Sequence, residues 1–221
     1  MKIVLENIWH SYDAQKYVLK NINLSFIEPG IYLVLGPNGV GKTTLLKIIS
    51  LIVKPSKGRI LIDGKDYWGL KEEERNNIRS LIAYVHDKPI LVRGSVRYNV
   101  ELGLRLRKRV NDNILEYYIN RYGLKQLEKK PANKLSAGES KAVTIVRAFA
   151  IKPKMLVLDE PFTYLDSHRT KLLIEDIVNL ARSEKTLVLI ATHYMYKELA
   201  NIATKIIEIK NGEIESQALK Q

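Results

Sequence analysis

Cysteine is absent from this 221-residue chain. Disulfides, thiolate metal sites and thiol nucleophiles are therefore excluded. No apolar run approaches the roughly 20 residues that cross a bilayer. The longest, Leu45 to Val53, is interrupted by Lys47 and Ser50. The opening residues, Met1 to Glu6, lack the apolar core and small-residue cleavage site of a secretory leader, so a cytosolic location is expected. No internal repeat, low-complexity tract or long linker divides the chain, whose length suits one large α/β domain or two small ones. Acidic residues are scarce relative to basic ones, 24 against 36, for a net charge of +12. Half of that excess lies in one segment. Between Lys88 and Arg109, seven cations (Lys88, Arg93, Arg97, Arg105, Arg107, Lys108 and Arg109) stand against the single acid Glu101. Such a segment can face nucleic acid, anionic lipid headgroups or an acidic protein, or be a solvated helix face.

Against these absences stands one dense motif. Residues 36 to 44 read Gly36-Pro37-Asn38-Gly39-Val40-Gly41-Lys42-Thr43-Thr44 and fit the phosphate-loop pattern G-x-x-x-x-G-K-[ST]. A strand-like run, Ile31 to Leu35, precedes the loop, and a helix-like run from Thr44 to Val53 follows it. Glycines there let successive backbone N–H groups turn onto phosphate oxygens, and a helix N-terminus adds positive potential. Lys42 can reach the outer phosphates, and the Thr43 hydroxyl can ligate Mg²⁺. The bland alternative, a glycine-rich turn with a chance lysine, does not explain why the whole motif sits between strand and helix. The expected ligand is a nucleoside triphosphate.

Strand-like runs occur at Lys2–Glu6, Ile22–Phe26, Ile31–Leu35, Arg59–Asp63, Leu81–Val85, Met155–Asp159, Leu187–Thr192 and Lys205–Lys210. From Ser95 to Ala150 no strand is evident. Val96, Val100 and Leu104 repeat at helical spacing there, and Asn113 can cap a helix that stops at Gly123. A helical stretch from Ser167 to Arg182 lies between two strand-like runs, a βαβ arrangement that implies a parallel sheet. Met155 to Asp159 is an apolar strand ending in a carboxylate, with Glu160 next. The carboxyl end of such a strand opens where parallel sheets bind ligands. Asp159 is expected to hold Mg²⁺ directly or through water, and Glu160 to act as general base on the attacking water.

Leu135-Ser136-Ala137-Gly138-Glu139 by itself reads as a helix cap. In the order phosphate loop, Leu-Ser-Ala-Gly-Glu, Leu158-Asp159-Glu160-Pro161, the chain resembles the ATPase domains of ABC transporters over essentially its whole length. The pentapeptide matches the family's Leu-Ser-Gly-Gly-Gln signature, with Ala137 and Glu139 as departures. The resemblance implies an α/β phosphate-loop NTPase core with a mostly parallel sheet, an antiparallel N-terminal β layer and a helical signature subdomain. The whole chain, 1–221, is then one ABC ATPase domain, with a nucleotide-binding core at 1–87 and 151–221 and the helical part at 88–150. It implies ATP and Mg²⁺ as cofactors. Ser136, Gly138 and Glu139 would meet the ATP held by a second ATPase subunit, so a monomer would be catalytically incomplete. His193 matches the switch histidine beside the γ-phosphate. Thr163-Tyr164-Leu165-Asp166 resembles the segment that communicates across the dimer. Tyr12, 24 residues before Gly36, resembles the aromatic that stacks on adenine, with Tyr17 as competitor and a core role as the alternative. Asp87 stands where the family usually carries a metal-binding Gln. It offers oxygen to Mg²⁺ but on a shorter stem and without the amide donor.

The implied function is the ATP-hydrolysing subunit of a multi-chain transporter. It would lie on the inner face of the cell membrane, with separate transmembrane subunits docking near 87–105. Gly94-Ser95-Val96-Arg97-Tyr98-Asn99-Val100 resembles a segment of importer ATPases, and an importer would add a solute-binding protein. The alternative is a solo cytosolic ABC ATPase acting in cofactor assembly or with nucleic acid. Nucleic acid is the less favoured partner, because the chain lacks the long heptad insertion of repair members and the paired ATPase domains of translation factors. A GTPase is disfavoured by the absence of an Asn-Lys-x-Asp run.

Lys42→Ala is expected to abolish tight ATP binding. Charge-assisted hydrogen bonds of this kind are worth on the order of 1.5–3 kcal/mol each. Titration with a fluorescent ATP analogue checks this, and equal affinity in variant and parent would remove the assignment.

Overall fold

The computed structural model describes residues 1–13, 16–108 and 112–219. Ile31 to Leu35, Met155 to Asp159 and Leu187 to Thr192 are predominantly apolar runs, buried at every position. Unbroken burial without alternation marks strands covered on both faces. They form the centre of a six-stranded sheet: β3 (Gly30–Leu35), β6 (Ile82–Val85), β7 (Met155–Asp159), β8 (Leu187–Thr192), β9 (Lys205–Lys210) and β10 (Glu213–Leu219). Their order is β10-β9-β3-β8-β7-β6, with every pairing parallel except that of β10 with β9. A second, wholly antiparallel sheet has the order β2-β1-β4-β5, from β1 (Ile3–His10), β2 (Leu19–Phe26), β4 (Lys57–Ile62) and β5 (Lys65–Asp66).

Two cores flank the large sheet. On one face, Leu45, Leu46, Ile48 and Ile49 of α1 (Lys42–Ile49) pack with Val34, Val157 and Leu189 and with the inner residues of the antiparallel sheet. On the other, Leu33, Leu156, Leu158, Val188 and Ile190 pack against helices. These include α3 (Val96–Leu106), α4 (Asp112–Arg121), α5 (Ala137–Ala150), α6 (Ser167–Arg182) and α7 (Lys197–Ile202), whereas α2 (Glu72–Arg79) lies on the surface. Among the described residues no strand falls between β6 and β7, as expected for a helical stretch.

The register of the parallel strands positions everything that follows. Leu35 lies opposite Thr192, Asp159 opposite Ala191, and Val85 opposite Leu158. The segments leaving β3, β6, β7 and β8 therefore emerge at one edge, the carboxyl edge where such sheets bind ligands.

Several expectations need correction. The first helix spans Lys42–Ile49 rather than Thr44 to Val53, because Ser50 caps it and Leu51 turns to φ 63°. Helix α4 begins at Asp112, so Asn113 lies inside it and is not its cap. Strands β5 and β10 and helices α2 and α7 were not anticipated. Helix α2 has no buried residue, so it has no apolar face to read.

The basic segment is also not a free patch. Arg97 bonds Glu101 and Glu116 and reaches Glu128 at 3.2 Å. Arg105 pairs with Glu101 at 2.6 Å. Arg107 donates to the carbonyls of Ser80, Ile82 and Gly103 at 2.8, 3.0 and 3.1 Å. Lys88, Arg93 and Lys108 lie outside these pairs, and Arg109 lies outside the described residues. Distant carboxylates, invisible to a local charge count, pair with Arg97.

Arg97→Glu is expected to destabilise the fold by about 1–3 kcal/mol, because it gathers a fourth carboxylate among three. Arg93→Glu should change stability by no more than about 0.5 kcal/mol. Urea unfolding of both variants decides it, and matching midpoints would show that Arg97 is only a surface charge.

Candidate functional site

The phosphate loop leaves β3 at Leu35 and enters α1 at Lys42. Gly41 is the cap residue at φ 108°, where a Cβ would sit 2.9 Å from Leu19 Cδ2 and 3.1 Å from the Val18 carbonyl oxygen. Only glycine tolerates both the backbone and the neighbours. Lys42 folds back over the loop, its Nζ donating to the carbonyls of Gly36 at 2.7 Å and Pro37 at 3.1 Å.

Thr43 Oγ1 donates to Asp159 Oδ2 at 2.8 Å, and the Tyr84 hydroxyl donates to the same oxygen at 3.1 Å. Burial pushes the Asp159 carboxyl above its ordinary range, outweighing those two donors, and the charges of Asp87 and Glu160 add to the rise. Asp159 Oδ1 is buried without a hydrogen-bond partner, and so is Glu160 Oε1. The Glu160 oxygen lies 3.6 Å from Lys42 Nζ, an ion pair without hydrogen-bond geometry. Its other oxygen is 3.0 Å from His193 Nδ1. Glu160 is held at φ 42°, and its N–H donates to the Ala191 carbonyl at 2.9 Å. A non-glycine residue in that region stores strain that the β7–β8 pairing must sustain.

These groups face a cavity of about 430 Å³ that Asn38, Gly39, Gly41, Lys42, Thr43, Thr44, Asp87, Asp159, Glu160 and His193 line together. Gly36, Pro37 and Val40 belong to the same loop without lining it. Tyr12 stands beside the site: its hydroxyl is 3.1 Å from Thr44 Oγ1, its ring meets His10 edge-on at 4.7 Å, and 63% of the residue is exposed. Tyr17 meets Trp9 edge-on at 5.1 Å and has Lys57 Nζ 5.3 Å over its ring, so a cation already covers one of its faces.

The Leu135–Glu139 segment lies elsewhere. Ser136 caps α5, its Oγ accepting from the Glu139 N–H at 3.2 Å, while Glu139 Oε2 accepts from the Ser136 N–H at 2.8 Å. Lys130 Nζ lies 3.3 Å from the same oxygen. Within one chain the pentapeptide is a capping box, and Ser136, Gly138 and Glu139 do not line the cavity. Gly138 has a second constraint, since a Cβ there would lie 2.7 Å from the Tyr164 carbonyl oxygen. Tyr164 and Thr163 do line the cavity, so the cap of α5 packs directly on the cavity wall.

Thr43, Asp87 and Asp159 offer hard oxygens, and the orphaned Asp159 oxygen is an acceptor suited to a small divalent cation. Among the described residues no group of three or more His, Asp or Glu forms a complete metal cage. Val18 and Tyr84 also serve the site without any sequence motif to announce them.

Residues 19–163 match the family model described as ABC transporter. The chain belongs to the ABC transporter family. It is 37% identical over 218 residues to a putative ABC transporter ATP-binding protein of Pyrococcus furiosus, covering 96% of this chain and 82% of that one. It is 34% identical over 217 residues to the tungstate uptake system ATP-binding protein TupC of Peptoclostridium acidaminophilum, covering 97% of each. A dimeric ATP-binding cassette solved in a post-hydrolysis state with ADP and Pi superposes with a TM-score of 0.89 at 28% identity, over 99% of both chains. The fold is that of an ABC ATPase cassette, and the activity is ATP hydrolysis. Among the described residues no helix is long and apolar enough to cross a membrane.

Proposed function

We propose that this ABC ATPase powers solute uptake by a multi-chain transporter, working as one of two ATPase subunits on the cytoplasmic face of the membrane. The observation that carries the ATPase part of the reading is the convergence of Lys42, Thr43, Asp87, Asp159, Glu160 and His193 on one cavity; its transport part rests on the likeness to transporter ATP-binding proteins. Lys42 would turn from the carbonyls of Gly36 and Pro37 to donate to the outer phosphates of ATP. Thr43, Asp159 and Asp87 would hold Mg²⁺, which when bound neutralises phosphate charge. Glu160, with Oε1 free of hydrogen bonds, would accept the proton of the attacking water, and His193 at Oε2 would orient it. Tyr12 would receive the adenine.

Ser136 and Gly138 lie away from this chain's own cavity, at the start of a helix that can receive an anion. Their natural ligand is the triphosphate held by a second ATPase subunit. Glu139, committed to its capping box, would act through that cap rather than on phosphate.

A second cavity of about 260 Å³ lies between β6, α3 and α5, lined by Ile82, Tyr84, His86, Ile90, Leu106 and Ile151 among others. Leu106 and Ile90 are 75% and 55% exposed at it. An apolar groove at the 86–90 segment suits a short helix of a membrane subunit. Uptake as the direction is supported by the likeness to the tungstate uptake ATPase; a solute-binding protein would then complete the assembly.

Glu160→Gln is expected to bind ATP but hydrolyse it about 10²–10⁴-fold more slowly. With Mg-ATP in size exclusion it should elute as a dimer while the parent elutes mostly as a monomer. Normal hydrolysis by the variant would reject Glu160 as the base.

Leu106→Asp is expected to keep basal ATPase and to lose about tenfold or more of its retention on membranes containing the partner subunits. Undiminished retention would place the dock elsewhere. Parent protein held on oligonucleotide at physiological salt, with none held on those membranes, would favour the soluble ATPase.

A further inference from the structure

Lys141 lies one turn into α5 from Ser136 and is completely buried, at 0% exposure. Its ammonium donates to the carbonyls of His86 and Asp87, each at 2.9 Å, and of Glu160 at 3.1 Å. An ammonium has three donors, so all are spent on backbone. Its acceptors come from two loops, one after β6 and one after β7. The same loops place the Asp87 and Glu160 side chains in the nucleotide cavity.

A buried ammonium is costly to desolvate, and three neutral carbonyls repay that cost less fully than a carboxylate would. Desolvation lowers its pKa to about 8, against the attraction of Asp87, Asp159 and Glu160. An apolar residue of similar volume would fill the space but leave three carbonyls without this donor, so space-filling does not account for a lysine here.

We propose that Lys141 is a positioning residue that ties the Asp87 loop and the Glu160 backbone to one point of α5. The loops that carry the groups facing ATP are then linked through one ammonium to the helix capped by Ser136. Two features make the tie consequential. Glu160 sits at φ 42°, where the backbone needs outside support to hold its geometry. His86 lines the apolar cavity between β6, α3 and α5, while Asp87, the next residue, lines the nucleotide cavity. A partner that shifts residue 86 therefore acts on the same ammonium that holds the Glu160 carbonyl. The inference rests on the reading of Glu160 as base and Asp87 as a metal ligand.

The test uses the full chain with Lys141→Met, which keeps the stem but no donor, and Lys141→Gln, which keeps two N–H donors but no charge. Fluorescent ATP-analogue affinity, single-turnover hydrolysis, the Mg²⁺ concentration for half-maximal rate and thermal melting are measured together, beside Glu160→Gln. Expected for Met is affinity within about threefold of the parent with turnover lower by about 10–100-fold, the scale of a small misplacement of reacting groups. Gln should be intermediate, about three- to tenfold slower than the parent, showing rescue by restored hydrogen bonds. Met turning over at the parental rate would overturn the proposal. So would equal losses of affinity and turnover in Met with no recovery in Gln, the signature of a merely structural residue. Should Met fail to fold, Gln decides alone: slowed turnover with retained affinity supports the tie, and parental turnover overturns it. If Glu160→Gln hydrolyses normally, the base assignment has failed separately. Lys141 is then judged by whether Met or Gln raises the Mg²⁺ requirement through Asp87, and an unchanged requirement overturns it.

Discussion

The in-register pairing of β3, β8, β7 and β6 is the constraint from which the rest of the site follows. Leu35, Thr192, Asp159 and Val85 end neighbouring strands at one edge of the sheet, so four loops leave it together. A slip of one residue in β7 would turn Asp159 to the opposite face and break its 2.8 Å bond to Thr43. The register is firm because both faces of these strands are buried. Moving any of them by one residue would send each side chain into the opposite core, where it does not fit the packing.

Electrostatics accounts for how the cavity is built. Asp87, Asp159 and Glu160 crowd one space, and burial makes the charged form of Asp159 costly, raising its pKa. Two lysines answer them from different elements, Lys42 from the phosphate loop and Lys141 from α5, and neither is more than slightly exposed. What the protein leaves unanswered is the pair of orphan acceptors, Asp159 Oδ1 and Glu160 Oε1. Both are groups that a cation and a water molecule would satisfy, and both are directed by neighbours, Tyr84 with Thr43 in one case and His193 in the other.

The beginning of α5 meets the cavity wall from outside. The reciprocal bonds of Ser136 and Glu139 settle the helix end in the isolated chain. Gly138 leaves room for the carbonyl of Tyr164, whose segment lines the cavity. A small residue at 138 thus serves close packing within one chain, apart from any contact it makes with an anion.

Sequence alone determined what is locally encoded. The phosphate loop, the Asp159-Glu160 strand end, His193 after an apolar strand and the eight runs that became strands are each a contiguous pattern with a local physical cause. Tertiary structure decided what depends on partners far along the chain. Arg97 read as part of a basic patch because its carboxylates at Glu116 and Glu128 are 19 and 31 residues away. Helix α2 has no apolar periodicity because Ile78 is its single apolar residue, and β10 gains strand geometry from β9 rather than from an apolar pattern of its own. Tyr84 and Lys141 carried no signal, since a hydroxyl aimed at a residue 75 positions on, or an ammonium reaching carbonyls 55, 54 and 19 positions back or ahead, has no local pattern. Local chemistry names the groups that can act on a triphosphate. Only the packing of α5 against the carboxyl edge of the sheet sets where they stand relative to one another, because hydrogen bonds between distant residues exist only once the chain has folded.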